Sequence, residues 1–308
     1  MIARRLPVRH RIAGRLLVSA VIGLVGACAT PATPAVTVTP TATPLPTPVS
    51  TAYVLDATAW YAGLIIHFDA ANSVLDEGGG AVMVDLRLEN LGTELATLEV
   101  GVLLGAGGRT VEPIRGTVIP DVPPGASVGT TLQFNVDGTF DVANAAIWIG
   151  RADEHRVIVP LEAGTSVLTT LEPVSLSLAG SATAGTLTVT LTGGELRADL
   201  PDWGLELASG SLALTITYTA RYRGDFAGGF PFTGVNVGLR LPDGTTLAAR
   251  PDGHSQSVAV LKPGTSVPNL QSRFEVPLPA AGAYALVVRD GARTASIPFT
   301  IAEAAPGG

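Results

Sequence analysis

The chain reads as an all-β protein: two tandem β-sandwich domains carried behind a signal peptide and a disordered Thr/Pro-rich linker. Three observations predict this. Apolar and polar residues alternate over many short stretches, turn residues punctuate those stretches, and no segment with helical periodicity interrupts them. Strands closely spaced in this way, with turns between them, fold into sandwiches.

The first fifteen residues carry Arg4, Arg5, Arg9, Arg11 and Arg15 and no acid. From Leu16 to Ala27 nothing is charged. That run is too short to cross a hydrocarbon core, which takes roughly 20 apolar residues as a helix. A basic start, a short apolar run and small residues before a cut site mark residues 1–27 as a secretory signal. The arginines stay on the cytoplasmic side as the run inserts.

The run ends in Leu24-Val25-Gly26-Ala27-Cys28, which resembles the lipobox of bacterial lipoproteins. That resemblance implies cleavage between Ala27 and Cys28 and a diacylglycerol on the Cys28 thiol, with the new amine open to a further acyl chain. The alternatives are an ordinary signal peptide with a chance cysteine, or an uncleaved anchor. Cys28 is the only cysteine, so lipidation also removes a thiol that an exported protein would otherwise leave reactive. One acyl chain, at about 0.8 kcal/mol per buried CH₂, holds a protein marginally, and two hold it stably.

Cleavage there leaves 14 basic and 26 acidic side chains, a net charge near −12 where the whole chain has −7. Nucleic acid is excluded as a partner by this balance, because phosphate binding needs a basic face. The same balance argues against electrostatic attraction to anionic lipid, leaving the membrane contact to the lipid anchor. With the only cysteine lipidated no disulfide forms, so each domain stands on its hydrophobic core.

Residues 28–51 comprise the lipidated cysteine and a linker, with six prolines, eight threonines and no charge over 29–51. Proline fixes φ and removes donors, so this segment suits an extended tether reaching about 70 Å at about 3.1 Å per residue. Ser/Thr-rich tracts with proline also accept O-linked sugar; a plain spacer is the simpler reading.

The first domain spans 52–165. Val82, Val84, Leu86 and Leu88 alternate with Met83, Asp85, Arg87 and Glu89, which puts one face on a core and the other in water. Leu64, Ile66 and Phe68 repeat the pattern before it. Leu98, Val100, Val102 and Leu104 predict a strand after the Asn90-Leu91-Gly92 turn. Val128 to Val136 follows Pro123-Pro124-Gly125, and Ile147 to Ile149 and Val157 to Leu161 close the domain. The second domain spans 168–303, with strands at Val174 to Leu178, Leu187 to Leu191 and Leu212 to Tyr218. Pro242-Asp243-Gly244 and Pro251-Asp252-Gly253 are turns, since Pro presets φ and Gly accepts positive φ.

The two domains repeat each other. Pro124-Gly125-Ala126-Ser127-Val128 matches Pro263-Gly264-Thr265-Ser266-Val267 at an offset of 139, Phe134-Asn135-Val136 matches Phe274-Glu275-Val276 at 140, and Ile158 to Leu161 matches Ser296 to Phe299 at 138. Three matches in order at nearly one offset point to duplication. The runs VDLRLENLG, PPGASVGTTLQFNV and IGRADEHRVIVPL resemble the small immunoglobulin-like domains of bacterial surface lipoproteins. This implies an Ig-like fold and a surface location, and no activity, because such domains serve adhesion, assembly and ligand binding alike.

Four segments are weighed as sites. Gly125-Ala126-Ser127-Val128-Gly129 fits the G-x-S-x-G elbow of hydrolases, but an elbow leads into a helix and this one leads into a strand pattern. Asp153-Glu154-His155, flanked by Arg151 and Arg156, offers metal or proton chemistry; the preferred reading is a solvated hairpin tip. Asn135-x-Asp137-Gly138 lacks the first and last ligands of a calcium loop, leaving a turn. The best surface candidate is the loop carrying Arg221, Tyr222, Arg223, Asp225, Phe226, Phe230 and Phe232, where aromatics and arginine on a Gly-rich segment suit a binding patch. Its alternative is that Phe226, Phe230 and Phe232 tuck under their own loop.

These readings converge on an extracytoplasmic, lipid-anchored, non-catalytic binding or assembly module. Its expected partners are the membrane, through the anchor, and another envelope protein or a glycan. No cofactor and no metal are expected. The rival readings are an envelope hydrolase, which would need Ser127 joined by one of His67, His155 and His254, and a purely structural spacer.

Overall fold

The alternation over Ala81–Asn90 becomes the strand at the heart of the first sheet, with Val82, Val84, Leu86 and Leu88 all buried. A computed structural model describes residues 47–98, 100–115, 117–250 and 258–302, which belong to one compact unit. The signal, Ala27, Cys28, the linker as far as residue 46, the Pro251-Asp252-Gly253 turn and His254 lie outside the described residues.

The chain is all-β. Its first half builds β1 (Val49–Tyr61), β2 (Leu64–Asp76), β3 (Gly79–Asn90), β4 (Val102–Ala106), β5 (Arg109–Val111), β6 (Ser127–Asp137), β7 (Ala146–Ile149) and β8 (Val157–Pro160). One antiparallel sheet has the order β1-β2-β3-β6 and another β5-β4-β7-β8. Phe68, Phe134, Leu104 and Ile147, drawn from both sheets, are buried in one core, the sandwich solution to two sheets that each have one apolar face.

The second half builds β9 (Val174–Leu176), β10 (Gly180–Ala184), β11 (Leu187–Arg197), β12 (Asp199–Leu200), β13 (Leu205–Glu206), β14 (Ser211–Tyr222), β15 (Phe230–Phe232), β16 (Val237–Arg240) and β17 (Thr246–Ala248). After these come β18 (Ala259–Leu261), β19 (Ser266–Pro277), β20 (Gly282–Asp290) and β21 (Arg293–Ile301). Its main sheets are β10-β11-β14-β19, with β9 also on β11, and β17-β16-β20-β21. Two small ribbons, β12-β13 and β15-β18, are added to these.

The pairing order of one half is the pairing order of the other. Three segments matched in sequence take matching places: Gly125 (φ 66°) and Gly264 (φ 70°) turn into β6 and β19, Phe134 and Phe274 on those strands are fully buried, and the third pair falls on β8 and β21 at the ends of equivalent sheets.

Two expectations are corrected. The linker boundary at residue 51 falls inside β1, which begins at Val49 and pairs there with Leu75. The strand expected from Leu98 begins only at Val102. Leu98 is buried without being in a strand, because residues 91–101 carry the chain from one sheet to the other. Asn90 fixes the start of that crossing. Its Nδ2 donates to the carbonyls of Glu94 (2.7 Å) and Val122 (2.9 Å), and its Oδ1 accepts from the Gly92 amide (2.8 Å).

Asn90→Ala strands those groups in a site where Asn90 is 2 % exposed, so urea unfolding is expected to register a loss of about 2–4 kcal/mol. A loss below about 0.5 kcal/mol would show that the crossing is held by other means.

Candidate functional site

The two halves meet at the β1–β2 hairpin turn. Ala62 (φ 49°) and Gly63 (φ 84°) are both left-handed, the conformation a two-residue hairpin needs. A Cβ on Gly63 would stand 2.7 Å from the Pro201 carbonyl oxygen, so only glycine allows the second half this close. The turn's amides are bonded by two carboxyl groups of the second half. Gly63 N donates to Asp199 Oδ2 (2.7 Å) and Ala62 N donates to Glu206 Oε2 (3.0 Å).

Each group is positioned by its strand. Asp199 and Glu206 face each other in the β12-β13 ribbon, and Arg197 Nε donates to Asp199 Oδ1 at 2.7 Å. Glu206 Oε1 is buried without a hydrogen-bond partner. Burial, and then the Asp199 charge, push the Glu206 carboxyl up to about 9. At neutral pH it therefore holds its proton beside Asp199, Glu154 and Arg197. From the first half, Tyr61 OH donates to Glu154 Oε2 at 2.8 Å; burial, and then that bond, raise the phenol well above its usual range.

Asp153 is exposed as a tip would be, but Glu154 and His155 are not solvated. Glu154 bridges to Ala208, the His155 amide donates to the Leu207 carbonyl, and His155 Nε2 lies 2.7 Å from the Ser211 carbonyl oxygen. The partners lie more than fifty residues along the chain, beyond the reach of local pattern.

Beside this contact opens a cleft of about 340 Å³, at the lower end for a small-molecule site. Leu95, Trp203 and Leu205 supply apolar walls, and Glu94, Arg151 and Glu154 supply charge. Trp203 is 55 % exposed, held outward on the Pro201–Trp203 3₁₀ turn. Asp202 in that turn pairs with buried Arg273 at 3.2 Å.

The loop singled out from sequence lies at the other end of β14. Tyr222 and Phe232 are buried and Phe230 is partly so, with Tyr222 packed on Phe230 at 5.8 Å and Tyr218 edge-on to Phe232 at 5.9 Å between ring centres. Phe230 and Phe232 thus pack inward as the alternative expected, joined by Tyr222, whereas Phe226, which the alternative also placed under the loop, is exposed. Arg221, Arg223, Asp225 and Phe226 remain at the surface.

Ser127 opens β6 after a turn. His67 engages Thr58 Oγ1 through Nδ1 (3.2 Å) and Glu89 through Nε2 (3.3 Å), so neither ring nitrogen is left for a serine. Asp137 pairs with Arg109 at 2.6 Å. No three metal-ligating side chains converge among the described residues, and no helix there is long and apolar enough to cross a membrane.

No protein-family model matches this chain. No curated protein matches it in sequence either.

Because the Glu206 carboxyl is raised on folding, its contribution to stability is greatest below its unfolded value of about 4.5 and is lost as pH climbs toward about 9. Glu206→Gln cannot ionise, so its melting temperature should exceed that of the parent at pH 8, with the difference shrinking at pH 5. A difference that is larger at pH 5 would contradict this assignment.

Proposed function

We propose that this is a lipid-anchored, non-catalytic binding module of the cell envelope, which takes a glycan in the cleft between two tandem Ig-like domains. The observation that carries the binding reading is Trp203, a large aromatic held half in solvent at the wall of a concave site. The C–H faces of a sugar ring lie on such a ring, while carboxylates and a guanidinium take its hydroxyls. Glu94, Glu154 and Arg151 stand around the same cleft.

The Ig-like reading is supported by strand order. With the outer strands β1 and β10, the additional strand β9 and the two small ribbons set aside, each half leaves a three-stranded and a four-stranded sheet linked by crossings, β2-β3-β6 with β5-β4-β7-β8 and β11-β14-β19 with β17-β16-β20-β21. Seven strands divided in this way form the architecture shared by immunoglobulin and fibronectin type III domains. The anchor rests on the Leu24–Cys28 resemblance and on the proline-rich run that follows.

Titration of purified protein with a panel of envelope glycan fragments should give at least one binder, with Trp203→Ala weakening it about tenfold or more. Binding that Trp203→Ala leaves unchanged would move the site elsewhere. Radiolabelled palmitate should mark the parent in cells, and Cys28→Ser should remove both the label and the protein from the membrane fraction; a Cys28→Ser chain that still sediments with membranes would remove the anchor from the reading.

A further inference from the structure

Charge is unevenly shared along the chain. Residues 28–165 hold 5 basic and 15 acidic side chains, and residues 166–308 hold 9 and 11. Within the second half, four of the basic residues gather at one end. Arg221 and Arg223 close β14; the Arg223 amide donates to the Thr186 carbonyl. Arg293, at the start of β21, lies beside Gly185. Lys262, the only lysine, reaches the Gly228 carbonyl at 3.4 Å.

All four are exposed, and none is paired with a carboxylate among the described residues. Among the described residues two acids share this end. Asp290 accepts from the Thr186 amide and hydroxyl, both at 2.8 Å, and Asp225 is exposed on the loop. The cations outnumber them.

Two apolar side chains project among these cations. Phe226 is 68 % and Val260 58 % exposed. Their positions are fixed: the Gly229 amide donates to the Phe226 carbonyl, the Phe226 ring covers Gly228, and Val260 lies against Gly229. An apolar tip ringed by cations is the composition of a surface that seats in the headgroup region of a bilayer. A soluble polyanion would use the cations and leave the phenyl ring without a role.

We propose that the loop cluster of Arg221, Arg223, Phe226, Val260, Lys262 and Arg293 is a docking tip for an anionic lipid bilayer. Phe226 and Val260 enter the headgroup boundary while the cations meet lipid phosphates. The net charge near −12 does not prevent this, since charges more than about 10 Å away are largely screened at physiological salt. The tip is remote from the acidic first half: β14 runs twelve residues from the junction at Ser211 to Tyr222, about 40 Å at 3.3 Å per residue. Val49, where the described chain begins its first strand, is at the opposite end of β1 from Tyr61, which meets the junction. The tip is thus a second membrane contact, separate from the tethered end.

The test uses the mature chain from residue 28 with Cys28→Ser, so that no acyl chain contributes. It is sedimented with vesicles of phosphatidylcholine alone, or with phosphatidylglycerol as one lipid in four. Binding should be about tenfold stronger on the anionic vesicles at low salt and fall as salt rises. Arg223→Glu with Lys262→Glu should abolish the preference, and Phe226→Ser should weaken binding while leaving the salt dependence, all with unchanged melting temperatures because the residues are exposed. Equal binding to both vesicles, no binding, or variants that bind like the parent would overturn the proposal. Binding to dextran sulfate without binding to vesicles would also overturn it, reassigning the tip to a soluble polyanion.

Discussion

A two-residue turn held by two carboxyl groups sets the relation between the halves of this protein. The amides of Ala62 and Gly63 point out of their hairpin, where a lone sheet would leave them to water. Asp199 and Glu206 accept them instead, and Gly63 lets the Pro201 carbonyl come within contact distance. Two acidic side chains beside one another would repel if both were ionised. Arg197 neutralises Asp199, and Glu206 keeps its proton. The contact is thus chemical as well as steric, and it fixes where the cleft walls stand.

The wall of the cleft follows from that contact. It presents Trp203 at the mouth of the cleft, because the 3₁₀ turn that carries the ring is pressed on Gly63 from one side and tied to Arg273 from the other. It also sends β14 away from the junction, so that the cations at its far end are separated from the acid-rich first half. Two unlike surfaces result, an acidic and aromatic concavity at the junction and a basic, apolar tip beyond it.

The fold was legible because period-two patterns are local. Val82 to Leu88 and Leu212 to Tyr218 bury the faces their alternation implies, and the repeat across 138–140 residues marked equivalent strands before any pairing was known. The junction was not legible. Its hydrogen bonds join residues 136 and 144 positions apart, and nothing local separates Asp199 or Glu206 from an ordinary surface acid. For the same reason Glu154 and His155 read as a solvated tip when they are half of a contact. The aromatic loop was half legible: its composition marked an unusual segment, but Tyr222 and Phe232 face inward because the β15-β18 ribbon packs on the main core together with Leu261. Leu98 misled because an apolar residue in a crossing segment can be buried without a strand.

Hydrogen exchange at the Ala62 and Gly63 amides tests the central claim most directly. Turn amides with no acceptor exchange at nearly the free-peptide rate, whereas amides bonded to buried carboxyl groups exchange only when the junction opens. The account predicts exchange slowed on the order of a hundredfold for both amides near neutral pH. Exchange at the free-peptide rate, with the flanking strand amides still protected, would show that the two halves do not grip each other at this turn.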